Sequence, residues 1–173
     1  MTTEVTEALC SRRSVRAFTA EQISEDKLDA VLRAGVYAPS GMNRQPVTLV
    51  AVRDAGTVKE LSRLNAAVLG TDNDPFYGAN TVVAVLADTS APTYVEDGSL
   101  AMGNMMNAAY SLGVDSCWIH RAREVFASDE GKALLKKWGI GGAQAGIGFC
   151  VLGYRDGEYP QARPRRAGSI VKV

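Results

Sequence analysis

The stretch Ser11-Arg12-Arg13-Ser14-Val15-Arg16-Ala17-Phe18 packs three arginines and two serines into six residues. Guanidinium forks match the oxygens of a phosphate, and serine hydroxyls and free backbone amides fill the gaps between them. The same chemistry returns near the other end, in Arg163-Pro164-Arg165-Arg166. Two readings are open: both clusters are solvated surface, or both ends of the chain hold one anion. A third stretch, Ala38-Pro39-Ser40-Gly41-Met42-Asn43-Arg44-Gln45-Pro46, favours the second. Asn43 and Gln45 each carry a donor and an acceptor, which suits the edge of a heterocyclic ring.

Self-contained catalytic machinery is missing. With one histidine, His120, there is no Ser-His-Asp set, and no G-x-S-x-G elbow or Walker loop is present. Residues 139–148 are glycine-rich but lack dinucleotide-binding spacing and lead into a strand rather than a helix. The acidic residues are scattered. A protein that only binds and orients leaves the reaction to its cofactor.

The bulk properties are those of one ordinary domain, residues 1–173. Hydrophobic residues make up 46% and charged residues 22%, with nineteen basic residues against nineteen acidic ones. That balance argues against broad capture of nucleic acid or anionic membrane. No apolar h-region of a signal peptide and no bilayer-length apolar run is found. Cys10, Cys117 and Cys150 are far apart and offer no metal-ligand spacing. Three reduced thiols suggest a cytoplasmic protein.

The elements that must position these groups read as follows. Thr3 caps a short helix over 3–10, and Val5, Ala8 and Leu9 give it one buried face. Ser24 caps a helix to residue 36, with Leu28, Val31, Leu32 and Gly35 in one stripe. Helices follow over 58–69, which places Asn65 among apolar neighbours, and over 94–112, which is apolar or small almost all round and suits a core or a subunit interface. A further helix runs from the Ser128 cap to Trp138. Strands are expected over 49–52, 81–87, 115–119 and 145–154, and residues 170–173 could extend a sheet edge. The loose alternation gives an α/β or α+β sandwich with a central sheet.

Taken together and in this order, the 11–18, 38–46 and 163–165 motifs resemble the nitroreductase family of FMN-dependent oxidoreductases, over essentially the whole chain. The resemblance implies an α+β three-layer fold, a mixed central sheet flanked by helices, and an obligate homodimer with FMN at the subunit interface. By the same resemblance Arg12, Arg13, Ser14 and Arg16 hold the FMN phosphate and ribityl chain, and Arg163 and Arg165 complete the phosphate site. Pro39, Ser40, Gly41 and Asn43 contact the flavin from the partner subunit, with Gln45 close by. Asn65 matches a position that hydrogen-bonds the ring edge, and Trp118, Ile119 and His120 fall where backbone lies near the ring. The implied activity passes hydride from NADH or NADPH through FMN to a nitroaromatic, quinone or other electron-poor acceptor, with no side chain as nucleophile. The helices that cover the active site in larger relatives are absent, and Val47 replaces the usual aromatic after Gln45-Pro46. The alternative is a non-catalytic flavin- or nucleotide-binding carrier or sensor.

Overall fold

In a computed structural model, which describes residues 2–173, the alternating and continuous apolar runs become a four-stranded sheet. The strands are β1 (Val47–Val52), β2 (Thr81–Asp88), β3 (Asp115–Ile119) and β4 (Gln144–Gly153), in the order β1-β2-β4-β3. All three neighbouring pairs run antiparallel. The sheet is therefore not mixed in its strands: among the described residues its parallel element is a single bridge between Ser14 and Ser116. The β1–β2 connection shows why. Helix α3 (Ala55–Leu69) is followed by a loop that runs back along it, with Ser62 Oγ bonded to Asp74 Oδ1 at 2.5 Å. The chain thus re-enters the sheet at the end it left, and Val52 faces Val82.

Two helical layers cover the sheet. Helices α2 (Glu25–Val36) and α4 (Tyr94–Ser111) lie on one face, where Leu28, Val31, Met102 and Met105 meet Val83 and Val85 of β2. On the other face α3, α5 (Ala122–Ala127) and α6 (Asp129–Lys137) bring Leu61, Leu64, Phe126 and Leu135 against Val82, Ala84 and Leu86. The two sets alternate along β2, as a strand covered on both faces requires. Ser24, Asp54 and Ser128 cap α2, α3 and α6, accepting from the amides of Lys27, Thr57 and Gly131. Each such cap is worth about 1 kcal/mol.

Strand β4 carries a bulge. Val85 pairs with Gly148 and Leu86 with Gly146, so Ile147 is the extra residue. Ile147 joins Cys150 and Leu152 on the α4 face, whereas strict alternation would send it to the other. The same shift turns the two glycines to opposite faces. A Cβ on Gly146 would overlap the backbone of Ala122, and one on Gly148 would overlap the Trp118 indole.

Two further expectations fail, and one element is added. Helix α1 (Glu4–Ser11) forms with its Thr3 cap, but it buries no residue. Val5 is 69% and Leu9 53% exposed, because nothing in the single chain covers that face. Residues 170–173 form no strand and are exposed, with no partner strand at hand. Helix α5 was not foreseen: six residues are too few to show a helical period.

Candidate functional site

The first group of candidate residues gathers along the outer edge of β3. Leaving α1, the chain turns at Arg12 and runs beside the strand, with the Val15 amide donating to Ser116 O at 3.1 Å. Val15 is buried and anchors this segment. The Tyr159 hydroxyl braces the turn, accepting from the Arg13 amide at 2.7 Å and donating to Ser11 O at 3.3 Å. Arg13 Nη1 donates to the carbonyls of Cys10 and Arg12, so this guanidinium mainly holds the end of α1.

Three donor groups here are enclosed and unpartnered within the described chain: Arg12 Nη1, Arg13 Nε and Ser116 Oγ. An enclosed cationic donor without an acceptor is costly, and an incoming anion removes the cost. Burial pushes the Cys117 thiol up, against the pull of Arg16, of the Ser14 hydroxyl and of Arg12. Ser14 lies directly beside β3, bridged to Ser116. Burial also pushes the Cys150 thiol up, to about 12.

Four residues further along β3 stands a second platform, about 13 Å from the first at the rise of a strand. Trp118 lies over Gly148, and His120 is exposed. The Ile119 side chain is 4% exposed and belongs to the core, so only its backbone can face a ligand. Asn65 is fully buried. Its Nδ2 donates to His120 O at 2.7 Å, and its Oδ1 accepts from Arg121 Nε at 3.2 Å. Both bonds go to the 120–121 turn, which Asn65 fixes from behind. Arg121 there sits at φ 73°, in the left-handed region. A cavity of about 250 Å³ opens beside this turn, with Trp118, His120, Arg121 and Arg123 among its walls.

The second group, the 38–46 loop, lies at the opposite edge of the sheet, roughly three strand spacings or about 14 Å across. Met42, Asn43 and Gln45 have φ of 54°, 53° and 51°. Left-handed non-glycine residues each cost on the order of 1 kcal/mol and persist only where the surroundings hold them. Here the surroundings do. The Gln45 amide donates to Ser40 Oγ at 3.0 Å, and Gln45 Nε2 donates to Asn43 Oδ1 at 3.0 Å. Asp97 of α4, 3% exposed, accepts from the Gly41 amide and from Thr93 Oγ1, both at 2.9 Å. A Cβ on Gly41 would overlap Thr93 Oγ1, so glycine is required at that close approach. Pro39, Asn43 and Gln45 are exposed, and Ser40 and Gly41 half-buried.

Arg163 and Arg165 lie in an exposed tail and make no salt bridge or hydrogen bond among the described residues. The single chain does not bring them to Arg12. A cavity of about 600 Å³ runs between α3 and the 74–80 loop past Arg53, Lys59 and Phe76, and holds none of the sequence-predicted residues. Ser116, Tyr159, Asp97 and Arg121 carried no signal as site residues. Each acquires its role through a contact distant in sequence.

A three-layer α+β protein with enclosed, unpartnered donors on one sheet edge is the class these features define. The model of the nitroreductase family matches residues 9–154, and the chain belongs to that family. The structure is similar to a nitroreductase with bound FMN from Bacteroides fragilis, with a TM-score of 0.91 and 33% identity over 99% of this chain and 100% of that one. It is similar also to a nitroreductase with bound FMN from Desulfitobacterium hafniense, with a TM-score of 0.89 and 26% identity over the whole of both chains. Among curated relatives, an FMN reductase [NAD(P)H] of Bacillus subtilis is 28% identical over 137 residues, 69% of this chain and 55% of that protein. No helix among the described residues is long and apolar enough to cross a membrane.

Proposed function

We propose that this chain is an FMN-dependent NAD(P)H oxidoreductase that delivers hydride to an electron-poor acceptor such as a nitroaromatic or a quinone, and that it works as a cytoplasmic homodimer. The observation that carries the reading is the set of enclosed, unpartnered donors at one end of β3 with the exposed backbone turn at His120 at the other. An anion-tailed ring has that shape. FMN, when bound, supplies hydride acceptance and release.

The chain's own residues bind and orient. Arg12, Ser14 and Arg16 take the phosphate together with Ser116, which the sequence did not single out, and Arg13 braces the turn that presents them. The 118–120 backbone lies along the ring, held from behind by Asn65. Fixed donors along that backbone stabilise charge that gathers on the reduced ring. Pro39, Ser40, Gly41, Asn43 and Gln45 complete the site from a second copy, which accounts for their lying at the far edge of one chain. The uncovered apolar side chains Val5, Leu9, Val36 and Tyr37 then become interface. Arg163 and Arg165 join the phosphate when the tail is ordered against a partner. No thiol is needed: Cys117 and Cys150 are buried, and Cys150 stays protonated at neutral pH. Three free cysteines accord with a reducing compartment.

The test is the visible spectrum of the purified protein, before and after NADH or NADPH is added without oxygen. A flavin spectrum that bleaches is the expected result. A flavin spectrum that persists with both donors identifies a carrier or sensor instead. A colourless protein that takes up no added FMN removes the cofactor assignment. Sedimentation equilibrium checks the dimer, and a monomer that binds FMN tightly would refute the two-copy site.

A further inference from the structure

The cavity beside the 120–121 turn has a charge pattern to which the proposed FMN contacts give no role. One wall is apolar, from Trp118 and Ile147; another carries two guanidinium groups, Arg121 and Arg123, against a single carboxylate, Glu124. None of these three charges forms a salt bridge among the described residues, so the cavity keeps a net positive charge. Arg121 spends its Nε on Asn65 and leaves its Nη groups free. The buried amide of Asn65 thereby fixes the base of this guanidinium, so part of its ordering cost is met before any ligand arrives. At about 250 Å³ the space suits one substituted ring and not a dinucleotide.

We infer that this cavity selects acceptors carrying a carboxylate: electron-poor aromatic acids, with the ring against Trp118 and the carboxylate on Arg123 and Arg121. The inference rests on the reading of the 118–120 end as the ring end of the FMN site, and it names the substrate class of that site. An arginine–carboxylate fork in a partly enclosed pocket is a charge-assisted, two-bond contact. A neutral isostere forfeits both bonds.

The test is calorimetric titration of the FMN-loaded protein with benzoate, which cannot be reduced, and with its neutral analogue benzyl alcohol. Benzoate is expected to bind roughly tenfold or more tightly than the alcohol, the range for hydrogen bonds to charged groups. Arg123→Gln is expected to erase most of that preference while leaving benzyl alcohol unchanged, and Arg123→Lys to restore part of it. Equal affinities in the parent protein would overturn the inference. So would a preference that survives in the Arg121→Gln/Arg123→Gln double variant. If that variant instead raises KM for NADPH but not for NADH, with benzoate affinity intact, the arginines serve the donor's phosphate and the inference falls. Should the protein hold no FMN, the same titration still reads the cavity: an Arg123-dependent benzoate preference upholds the anion site while the flavin reading fails.

Discussion

The edge of β3 and the 38–46 loop hold their polar groups in opposite ways. At β3, Arg12 Nη1 and Ser116 Oγ are enclosed without partners. In the loop, Ser40, Gly41, Asn43 and Gln45 are already bonded to one another or to Asp97. The first region holds donors open for an anion and bears the cost of doing so. The second spends its bonds on keeping three left-handed residues in place and offers a preformed surface. On the proposed function, the ligand's charged end is met by groups it stabilises, whereas its flat end meets groups that need no help. Preorganisation by strain and preorganisation by unsatisfied charge occur on one sheet, at opposite edges.

Arg12→Ala probes the open region and carries the largest expected effect. FMN affinity of the apoprotein should fall by about ten- to a hundredfold, the loss of a charge-assisted contact. The melting temperature of the apoprotein should hold or rise, because an unanswered donor has gone. Fluorescence titration with FMN and a thermal melt check both; an apoprotein melt that drops sharply would make Arg12 structural. Asp97→Ala probes the closed region and should show the reverse balance. It removes the acceptor for the Gly41 amide and Thr93 Oγ1, so the folded state should lose about 1–3 kcal/mol even without ligand. For a chain of this size each kcal/mol is roughly 2–4 °C of Tm. If Asp97→Ala instead weakens FMN with no change in Tm, the contrast between the regions is wrong.

The smallest effect concerns pH. Burial raises the Cys150 thiol to about 12 in the folded chain, above the ordinary value near 9. Above that ordinary value the unfolded chain loses this proton while the folded chain keeps it, so the contribution is complete below pH 9 and declines as pH climbs towards 12. Urea melts at pH 8 and pH 10 should show lower stability at the higher pH, and Cys150→Ala should reduce the difference. Equal differences in both proteins would count against the buried thiol as its source.

What could be read from the sequence follows how local each signal is. Helix α2 was legible because the Ser24 cap, Leu28, Val31 and Gly35 follow one another at steps of one helical turn. Strand β2 was legible because it is apolar on both faces. The three binding motifs were legible because their residues cluster. Ser116 and Asp97 were not, because their importance lies in what approaches them from 56 or more residues away, as Gly41 does Asp97, or in what fails to approach them. The exposed apolar face of α1 read as buried because periodicity reports that a face is apolar and not what covers it.

The bulge at Ile147 acts as a phase shifter in β4. From residue 148 onward, even-numbered residues face α4; the extra residue reverses the parity before it, and Gly146 meets Ala122 on the other face. Removing that one residue would rejoin the two halves in a single phase. Gly146 would stay against Ala122 and Gly148 against Trp118, and the loss would fall under α4, where Ile147 packs against Gly98. A one-residue deletion in a buried strand would thereby open a space beneath α4 while leaving in phase the strand that backs the turn on which Arg121 stands.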